Sequence, residues 1–245
     1  MKEEIIKYVK SAPVLEKTFR LLNRKKTVND PSDKMIIGED NIINVNESST
    51  LNNCFFDIVG NKNQIEIQGS AIFNNVKFYI RGNNNKIKIE ENVRFNRGGS
   101  IWIEDYNCEA IIGKDTSFQD VHIAVTEPNS KIIIGSDCLF AYDIDIRTGD
   151  SHSIIDTITN ERVNHAMDVI IGNHVWVASH VSILKGSYIS DNSVIATRAV
   201  VTKRFEDPNI LIGGIPARKI KSNINWNRKR IYTTTESDFI GEPIV

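Results

Sequence analysis

The sequence predicts an all-β protein built as a parallel β-helix, in which the chain winds through stacked triangular coils. Short apolar triplets recur about every 22 residues in the first half, and bulky apolar residues recur every six residues from Ile171 onward. A fixed period of this kind indicates a stacked-coil architecture. One interruption of the pattern, near residues 149–168, predicts a loop inserted into the solenoid.

Residues 1–30 precede the repeats and show helix-like spacing of apolar residues. Pro13 divides them into two short predicted helices, and Ser11 is able to cap the second. The segment holds eight basic and four acidic side chains. We interpret it as a packing or oligomerisation segment, and a peripheral contact with a membrane surface is the alternative.

The predicted β-helix occupies residues 31–221 and begins with coils of about 22 residues. A hexapeptide coil of three faces needs only about 18 residues, so each of these coils carries about four more. The extra residues are expected at enlarged corners, because Asn and Gly tolerate positive φ. The expected corners are "GNKN" 60–63, "GNNN" 82–85, "YNCE" 106–109 and "EPNS" 127–130.

The later coils follow the six-residue period without a break from Ile171 to Val201. One bulky and one small residue in every six is the hexapeptide signature. Between Ile134 and Ile171 the chain is about 19 residues longer than one such coil, which defines the insertion. A long loop on a rigid scaffold is usually functional, and His152 lies at its base. Residues 222–245 are expected to form a loop-and-helix tail.

Composition excludes several classes of protein. The chain has 30 basic and 31 acidic residues, so no overall charge points to nucleic acid. Three cysteines without metal-like spacing favour a reducing cytoplasm. No apolar run is long enough to span a membrane, and charges interrupt the N-terminus where a signal peptide would be apolar.

Four motifs carry a resemblance over residues 132–220. They are "DSHSI" 150–154, "VIIGNHVWVASHVSILKG" 169–186, "VVTK" 200–203 and "GGIPARKI" 213–220. With the loop before them, they resemble the hexapeptide acyltransferases, specifically the galactoside/maltose-type O-acetyltransferases. The long coils and the "INWNRK" tail resemble bacterial capsule O-acetyltransferases, including those acting on sialic-acid polymers. The resemblance implies a left-handed coil, although parallel crossovers are generally right-handed. It also implies a homotrimer with sites between subunits and acetyl-CoA as co-substrate.

The resemblance implies that His152 is catalytic, and the chemistry agrees. A sugar hydroxyl needs a base to attack a thioester, and neutral imidazole titrates near the working pH. A carboxylate is expected to hold the ring, and Asp150, Asp145 and Glu161 are open candidates. The resemblance places Trp176 beside the acceptor and the thioester.

Seven residues are implied to contact coenzyme A. They are Ala178, Ser179, Thr197, Thr202, Lys203, Arg218 and Lys221. The first two match positions near the pantetheine arm, and the last four match the region of the nucleotide phosphates, which basic residues suit. Thr197 lies in "ATR" 196–198, where the family usually has glycines that let coenzyme A approach the backbone.

Three other functions remain as alternatives. A metal-dependent hydratase needs convergent histidines, but His174 and His180 are six apart and lie on adjacent faces, and His122 and His165 add no convincing third ligand. No metal is therefore expected. A non-catalytic scaffold or ice-binding protein would show threonine ladders and no loop. An N-acetyltransferase of nucleotide-linked amino sugars often carries an N-terminal domain larger than residues 1–30.

The predicted function is O-acetylation of a bacterial surface polysaccharide such as a capsule or O-antigen, with a polymer, lipid-linked or nucleotide-linked acceptor.

Overall fold

The structure is a computed structural model that describes residues 33–232, and this part of the chain is all-β. Its strands wind as a solenoid with three faces, and strands of consecutive coils pair in parallel. No helix occurs among residues 33–232, so none there is able to cross a membrane. The predicted left-handed parallel β-helix is confirmed. The helices predicted within residues 1–30 lie outside the described residues.

The strands are numbered in chain order and fall on three faces. The first face contains β2 (Ile42–Val45), β5 (Gln64–Ile67), β8 (Lys86–Ile89), β10 (Glu109–Ile112), β12 (Lys131–Ile134), β15 (Val169–Ile171), β18 (Tyr188–Ile189) and β21 (Arg204–Phe205). The second contains β3 (Thr50–Asn52), β6 (Ile72–Asn74), β13 (Leu139–Phe140), β16 (Trp176–Val177), β19 (Val194–Ile195) and β22 (Leu211–Gly214), with β23 (Ala217–Lys221) antiparallel to β22. The third contains β1 (Asp33–Ile37), β4 (Phe55–Val59), β7 (Val76–Asn83), β14 (Ile144–Arg147), β17 (Ser182–Ile183) and β20 (Val200–Val201). Two long strands, β9 (Arg94–Tyr106) and β11 (Ser117–Val125), run through the corner from the second face into the third.

Bulky apolar side chains fill the interior and stack from coil to coil. The rings of Phe73, Phe95, Phe118 and Phe140 follow one another at centroid distances of 5.0, 4.5 and 4.7 Å, and all four are fully buried. Burying one such ring stabilises the fold by about 1.5–3 kcal/mol. Because each coil supplies the next with an apolar surface, the repeat in the sequence is also the repeat of the core.

Strand pairing shows two coil lengths, which meet at the inserted loop. Paired residues are 22 or 23 apart before the loop, 37 apart across it and 18 apart after it, except in the last coil, where β21 and β22 pair at spacings of 16 and 17. Examples are Gln64 with Ile42, Val169 with Ile132 and Tyr188 with Ile170. We call residues 33–148 the wide coils and residues 169–214 the narrow coils. The spacing of 37 confirms the predicted insertion of about 19 residues.

The extra residues of the wide coils lie partly at corners and partly in longer strands. Asn84, Asn107 and Asn129 adopt positive φ of 57°, 57° and 64°, as predicted for the corners. However, β7 and β9 continue through Asn83 and Tyr106, so part of two expected corners is strand. These strands extend because those stacked on them are long enough to supply hydrogen-bond partners. The third face is therefore broader in the wide coils.

Buried asparagines close these corners from inside. Asn63 and Asn85 are each 1% exposed. Nδ2 of Asn85 donates to the backbone oxygen of Asp105 at 3.1 Å, and its Oδ1 accepts from the N–H of Cys108 at 2.9 Å. Each side chain thus pairs backbone groups that the corner leaves without strand partners, which buried polar groups require.

Candidate active site

The inserted loop, residues 149–168, leaves the third face after β14 and enters the first face at β15. Its base is organised around the side chain of the buried Asn164. The amide Nδ2 donates to a carboxylate oxygen of Asp150 and to the backbone oxygen of His152, both at 2.8 Å. The Asn164 Oδ1 accepts from the N–H of Ile154 at 2.7 Å. These bonds fix the backbone of His152 and of the residues beside it.

Two ion pairs tie the loop to the two kinds of coil. On the wide side, Arg162 binds both carboxylate oxygens of Glu127, with Nη1 3.0 Å from Oε2. On the narrow side, Lys185 binds the Asp150 carboxylate and donates to the backbone oxygen of Asn164 at 2.9 Å. Burial raises the pKa of Glu127, but hydrogen bonds from Arg162 and from a loop N–H outweigh burial and lower it below its ordinary value. Glu127 is therefore an ionised anchor.

His152 is exposed, and its ring makes no hydrogen bond to any other residue in the range 33–232. None of the three candidate carboxylates orients this ring within one chain. Asp150 belongs to the anchor of the loop, and Asp145 accepts from Arg147 at 2.8 and 2.9 Å. The Glu161 carboxylate is exposed and makes no hydrogen bond to the ring. The backbone is held while the imidazole stays accessible.

Trp176 faces outward, as its place in the six-residue pattern predicts. On β16 the neighbouring Val177 is fully buried, whereas Trp176 is 38% exposed. The Trp176 ring lies 6.3 Å from that of Trp226, centroid to centroid. The strand then runs directly into the corner formed by Ala178 and Ser179, so this surface is continuous with the predicted cofactor region.

Five of the seven predicted cofactor residues lie around one edge of the narrow coils. Ala178 and Ser179 form a corner, and Thr197 stacks above it, its Oγ1 donating to the backbone oxygen of Ser179 at 2.7 Å. Arg218 and Lys221 are exposed on β23, beside the last strand of the second face.

The remaining two predicted cofactor residues, Thr202 and Lys203, are exposed at a different corner, between β20 and β21.

The "ATR" corner, residues 196–198, places Arg198 at a φ of 61°. This left-handed conformation costs a non-glycine residue roughly 1–2 kcal/mol, because Cβ crowds the following carbonyl oxygen. The glycines that the resemblance leads one to expect would adopt it freely.

A groove of about 430 Å³ lies on the third face, lined by residues of β9 and β11 and by the start of β14. Its lining comprises Gly99, Ser100, Asp120, Val121, His122, Asp143, Ile144 and Asp145. Nδ1 of His122 is 2.6 Å from Oγ of Ser100, and Asp145 is the strand neighbour of His122 in the next coil. Burial lowers the pKa of His122 and outweighs the opposing effect of Asp145, so the ring is neutral at pH 7.

Two of the histidines considered as metal ligands, His174 and His180, each pair with one carboxylate. Nδ1 of His174 is 2.6 Å from Asp137 and Nδ1 of His180 is 2.7 Å from Asp143. Among residues 33–232, no group of three or more His, Cys, Asp or Glu side chains converges as a metal site would require. Burial raises the pKa of the Cys138 thiol to about 12, which keeps it protonated.

Sequence reasoning missed the residues that support His152. Asn164, Arg162 and Glu127 form the base of the loop, yet Arg162 and Glu127 are 35 residues apart and follow no repeat. From the sequence, His122 is a candidate only for metal binding. One feature of the sequence could have indicated a binding role for His122. It lies between the apolar Val121 and Ile123 and so faces outward, on the face from which the loop departs.

No protein-family model matches the chain. The polysialic acid O-acetyltransferase of Neisseria meningitidis is 35% identical over 132 residues, which cover 54% of this chain and 61% of that protein. The galactoside O-acetyltransferase of Escherichia coli K12 is 30% identical over 141 residues, which cover 55% and 66%. The matches thus span less than two thirds of both curated relatives. The solved structure of the polysialic acid O-acetyltransferase OatWY aligns with a TM-score of 0.76 and 34% identity, covering 84% of this chain and 96% of that one.

Proposed function

The chain belongs to the family of hexapeptide-repeat O-acetyltransferases, and we propose that it transfers an acetyl group from acetyl-CoA to a hydroxyl of a bacterial surface polysaccharide. The names of the relatives, which specify polysialic acid or galactosides as acceptors, support this class of reaction. The placement of His152, the narrow-coil edge and the third-face groove supports an assignment of roles to this chain's own residues.

His152 is proposed to act as the general base. The observation that carries this role is the contrast between its fixed backbone, held by Asn164, and its exposed ring. In the proposed step, His152 takes the proton of the acceptor hydroxyl as that oxygen attacks the thioester carbonyl carbon. The imidazolium then returns the proton to the departing thiolate sulfur. Neutral imidazole is suited to both transfers near neutral pH.

The acyl donor is proposed to lie along the edge of the narrow coils. Ala178 and Ser179 present a corner without large side chains, on which an extended arm fits. Arg218 and Lys221 are exposed beside it and suit phosphate groups, because guanidinium and ammonium groups form charge-assisted hydrogen bonds with them.

The acceptor is proposed to approach from the wide coils, through the groove that contains His122. The third face carries both this groove and β14, from which the loop reaches His152 within a few residues. The groove is polar and open, as a hydroxyl-rich chain requires. Its neutral His122 and its Ser100 hydroxyl are able to hydrogen-bond sugar hydroxyls.

A homotrimer with sites between subunits is part of the proposal. In a single chain Trp176 stands 38% exposed and no described carboxylate orients His152, so a neighbouring coil would complete the site. Ligand sites favour such interfaces. Light scattering that returns a single 27.7 kDa chain from an active preparation would contradict this arrangement.

The test of the proposed function compares two histidines of the same loop. His152→Ala is expected to lower kcat by about 10²–10⁴, the range for a positioned acid–base group, while coenzyme A affinity stays within a few-fold. His165→Ala is the matched control, because His165 is also exposed in the loop, and it should keep near-wild-type turnover. Labelled acetyl-CoA would be offered with capsule-type polysaccharides and nucleotide-linked amino sugars. Unimpaired transfer by His152→Ala, or acetylation of the amino sugar alone, would overturn the proposal.

A further inference from the structure

The chain beyond β23 does not leave the solenoid but lies back across it. The N–H of Ile224 donates to the backbone oxygen of Asn209 at 3.0 Å, and Nδ2 of Asn209 donates to the oxygen of Ile224 at 3.1 Å. We call residues 222–232 the tail strap. It has no regular secondary structure, and its position depends on these bonds and on side-chain contacts with the coils.

Arg228 anchors the tail strap to two successive wide coils. Its guanidinium donates to Asp137 Oδ1, to Ser117 Oγ and to the backbone oxygen of Asp115, each at 3.0 Å, and to the oxygen of Cys138 at 3.1 Å. A guanidinium group presents several N–H donors in one fixed plane, and a lysine ammonium group does not reproduce this arrangement.

His174 connects this anchor to Trp226. Its Nδ1 is 2.6 Å from Oδ2 of Asp137, and its Nε2 is 3.1 Å from the backbone oxygen of Trp226. Both ring nitrogens thus face acceptor oxygens, one on the solenoid and one on the tail strap, so the His174 ring links the two. Burial raises the pKa of Asp137, but hydrogen bonds from His174 and Arg228 outweigh burial and lower it, which keeps this partner ionised.

Trp226 packs between the ring of His174 and the ring of Trp176. It is 8% exposed, and its Nε1–H donates to the backbone oxygen of His174 at 2.7 Å. Its indole stacks on the His174 ring with centroids 4.3 Å apart and planes 12° apart. Its other close ring is that of Trp176, at 6.3 Å and 46°. Trp226 thus joins the anchored strap to the outward aromatic residue of β16.

We propose that Trp226 is a positioning residue, which holds the Trp176 ring at the angle needed to form one wall of the acyl-donor site. The inference rests on the proposed function, because that proposal places the donor at the corner following Trp176. Trp226 itself is buried and does not need to touch the donor. Without it, Trp176 loses its ring neighbour and is free to change rotamer.

The experiment measures donor and acceptor separately. Trp226→Ala is expected to weaken coenzyme A binding by about tenfold in calorimetry and to raise KM for acetyl-CoA similarly, which corresponds to about 1.4 kcal/mol. KM for the glycan should stay within twofold. Trp226→Phe keeps a ring on His174 and should recover most of the affinity. Lys229→Ala, an exposed change in the same strap, is the control and should bind coenzyme A normally.

A spectroscopic readout separates positioning from simple stability. The chain has three tryptophans, so in a Trp102→Phe background the tryptophan bands of the near-UV circular dichroism spectrum come from Trp176 and Trp226 alone. Trp226→Ala should abolish the signal of the coupled pair and leave a weak signal from Trp176. Unchanged coenzyme A binding, or an equal rise in both KM values with a lowered Tm, would overturn the proposal.

Two further variants keep the inference testable. If Trp226→Ala does not fold, Arg228→Lys should weaken coenzyme A binding by loosening the strap, and normal binding in both Arg228→Lys and Trp226→Phe would overturn the proposal. His152→Ala distinguishes the two proposals. If it retains turnover while coenzyme A binding still depends on Trp226, the general-base role fails and the positioning role stands.

Discussion

The wide and narrow coils share one interior pattern but differ in what they present outward. Strands on the third face of the wide coils reach eight residues in β7, whereas β17 and β20 of the narrow coils have two. The broad face carries the groove with His122, and the narrow coils carry Trp176 and most of the predicted donor residues. His152 lies where the two regions meet. A change of coil length within one solenoid thus separates the proposed donor surface from the proposed acceptor surface.

The largest expected effect in this comparison comes from the two anchors of the loop. Arg162→Ala, on the wide side, should lower kcat by about a hundredfold. Loss of this anchor is expected to displace His152, and a displacement of about 1 Å lowers the rate by about that factor. Lys185→Ala, on the narrow side, should lower kcat by no more than about tenfold, because the Asp150 carboxylate is 43% exposed and keeps its bond to Asn164. Steady-state kinetics with coenzyme A binding as a control measures both. A larger loss in Lys185→Ala would reverse the roles assigned to the two sides.

Removing a buried side-chain hydrogen bond should lower the free energy of unfolding more in the wide coils than in the narrow coils. Asn85→Ala in the wide coils leaves two buried backbone groups without their side-chain partners, at about 1–3 kcal/mol each, so we expect a loss of about 2–6 kcal/mol. Ser187→Ala in the narrow coils removes one hydrogen bond, to the backbone oxygen of Val201, and should cost about 1 kcal/mol. Urea unfolding gives both values. Equal losses would show that the inward asparagines are incidental to the wide corner.

The coils should unfold at a lower pH than that at which the inserted loop and the tail strap detach from them. The pKa values of Asp150, Glu127 and Asp137 are lowered in the folded chain, in the first case by hydrogen bonds from Lys185 and Asn164. A lowered carboxyl pKa stabilises the fold above the unfolded value, near 4, and this contribution is lost as pH falls through the folded value. We therefore expect coenzyme A binding and loop protection to fall below about pH 4 before the β-sheet signal does. Loss of the sheet first would contradict this order.

The fold could be predicted because its information is local and repeated. The six-residue and 22-residue periods appear directly as strand spacing, and the break in the pattern marks the loop. The hand of the coil came only from the resemblance, since the general rule favours the opposite one. The supports of the site could not be predicted, because their partners are distant in sequence and occur once. His174 and Trp226 are 52 residues apart, and Arg228 and Asp115 are 113 apart.

The claim that the wide coils receive the acceptor is tested most directly by glycan length. We propose comparing kcat/KM for a series of capsule-type oligosaccharides of increasing length with kcat/KM for the matching monosaccharide and its nucleotide-linked form. If the chain lies along the third face, kcat/KM should rise with length by about tenfold or more, because remote binding energy is then available to the transition state. Replacing His122 with Ala in the groove should reduce that rise while leaving KM for acetyl-CoA unchanged. If the monosaccharide or the nucleotide sugar is the best substrate, the wide coils are scaffold only and the account is contradicted.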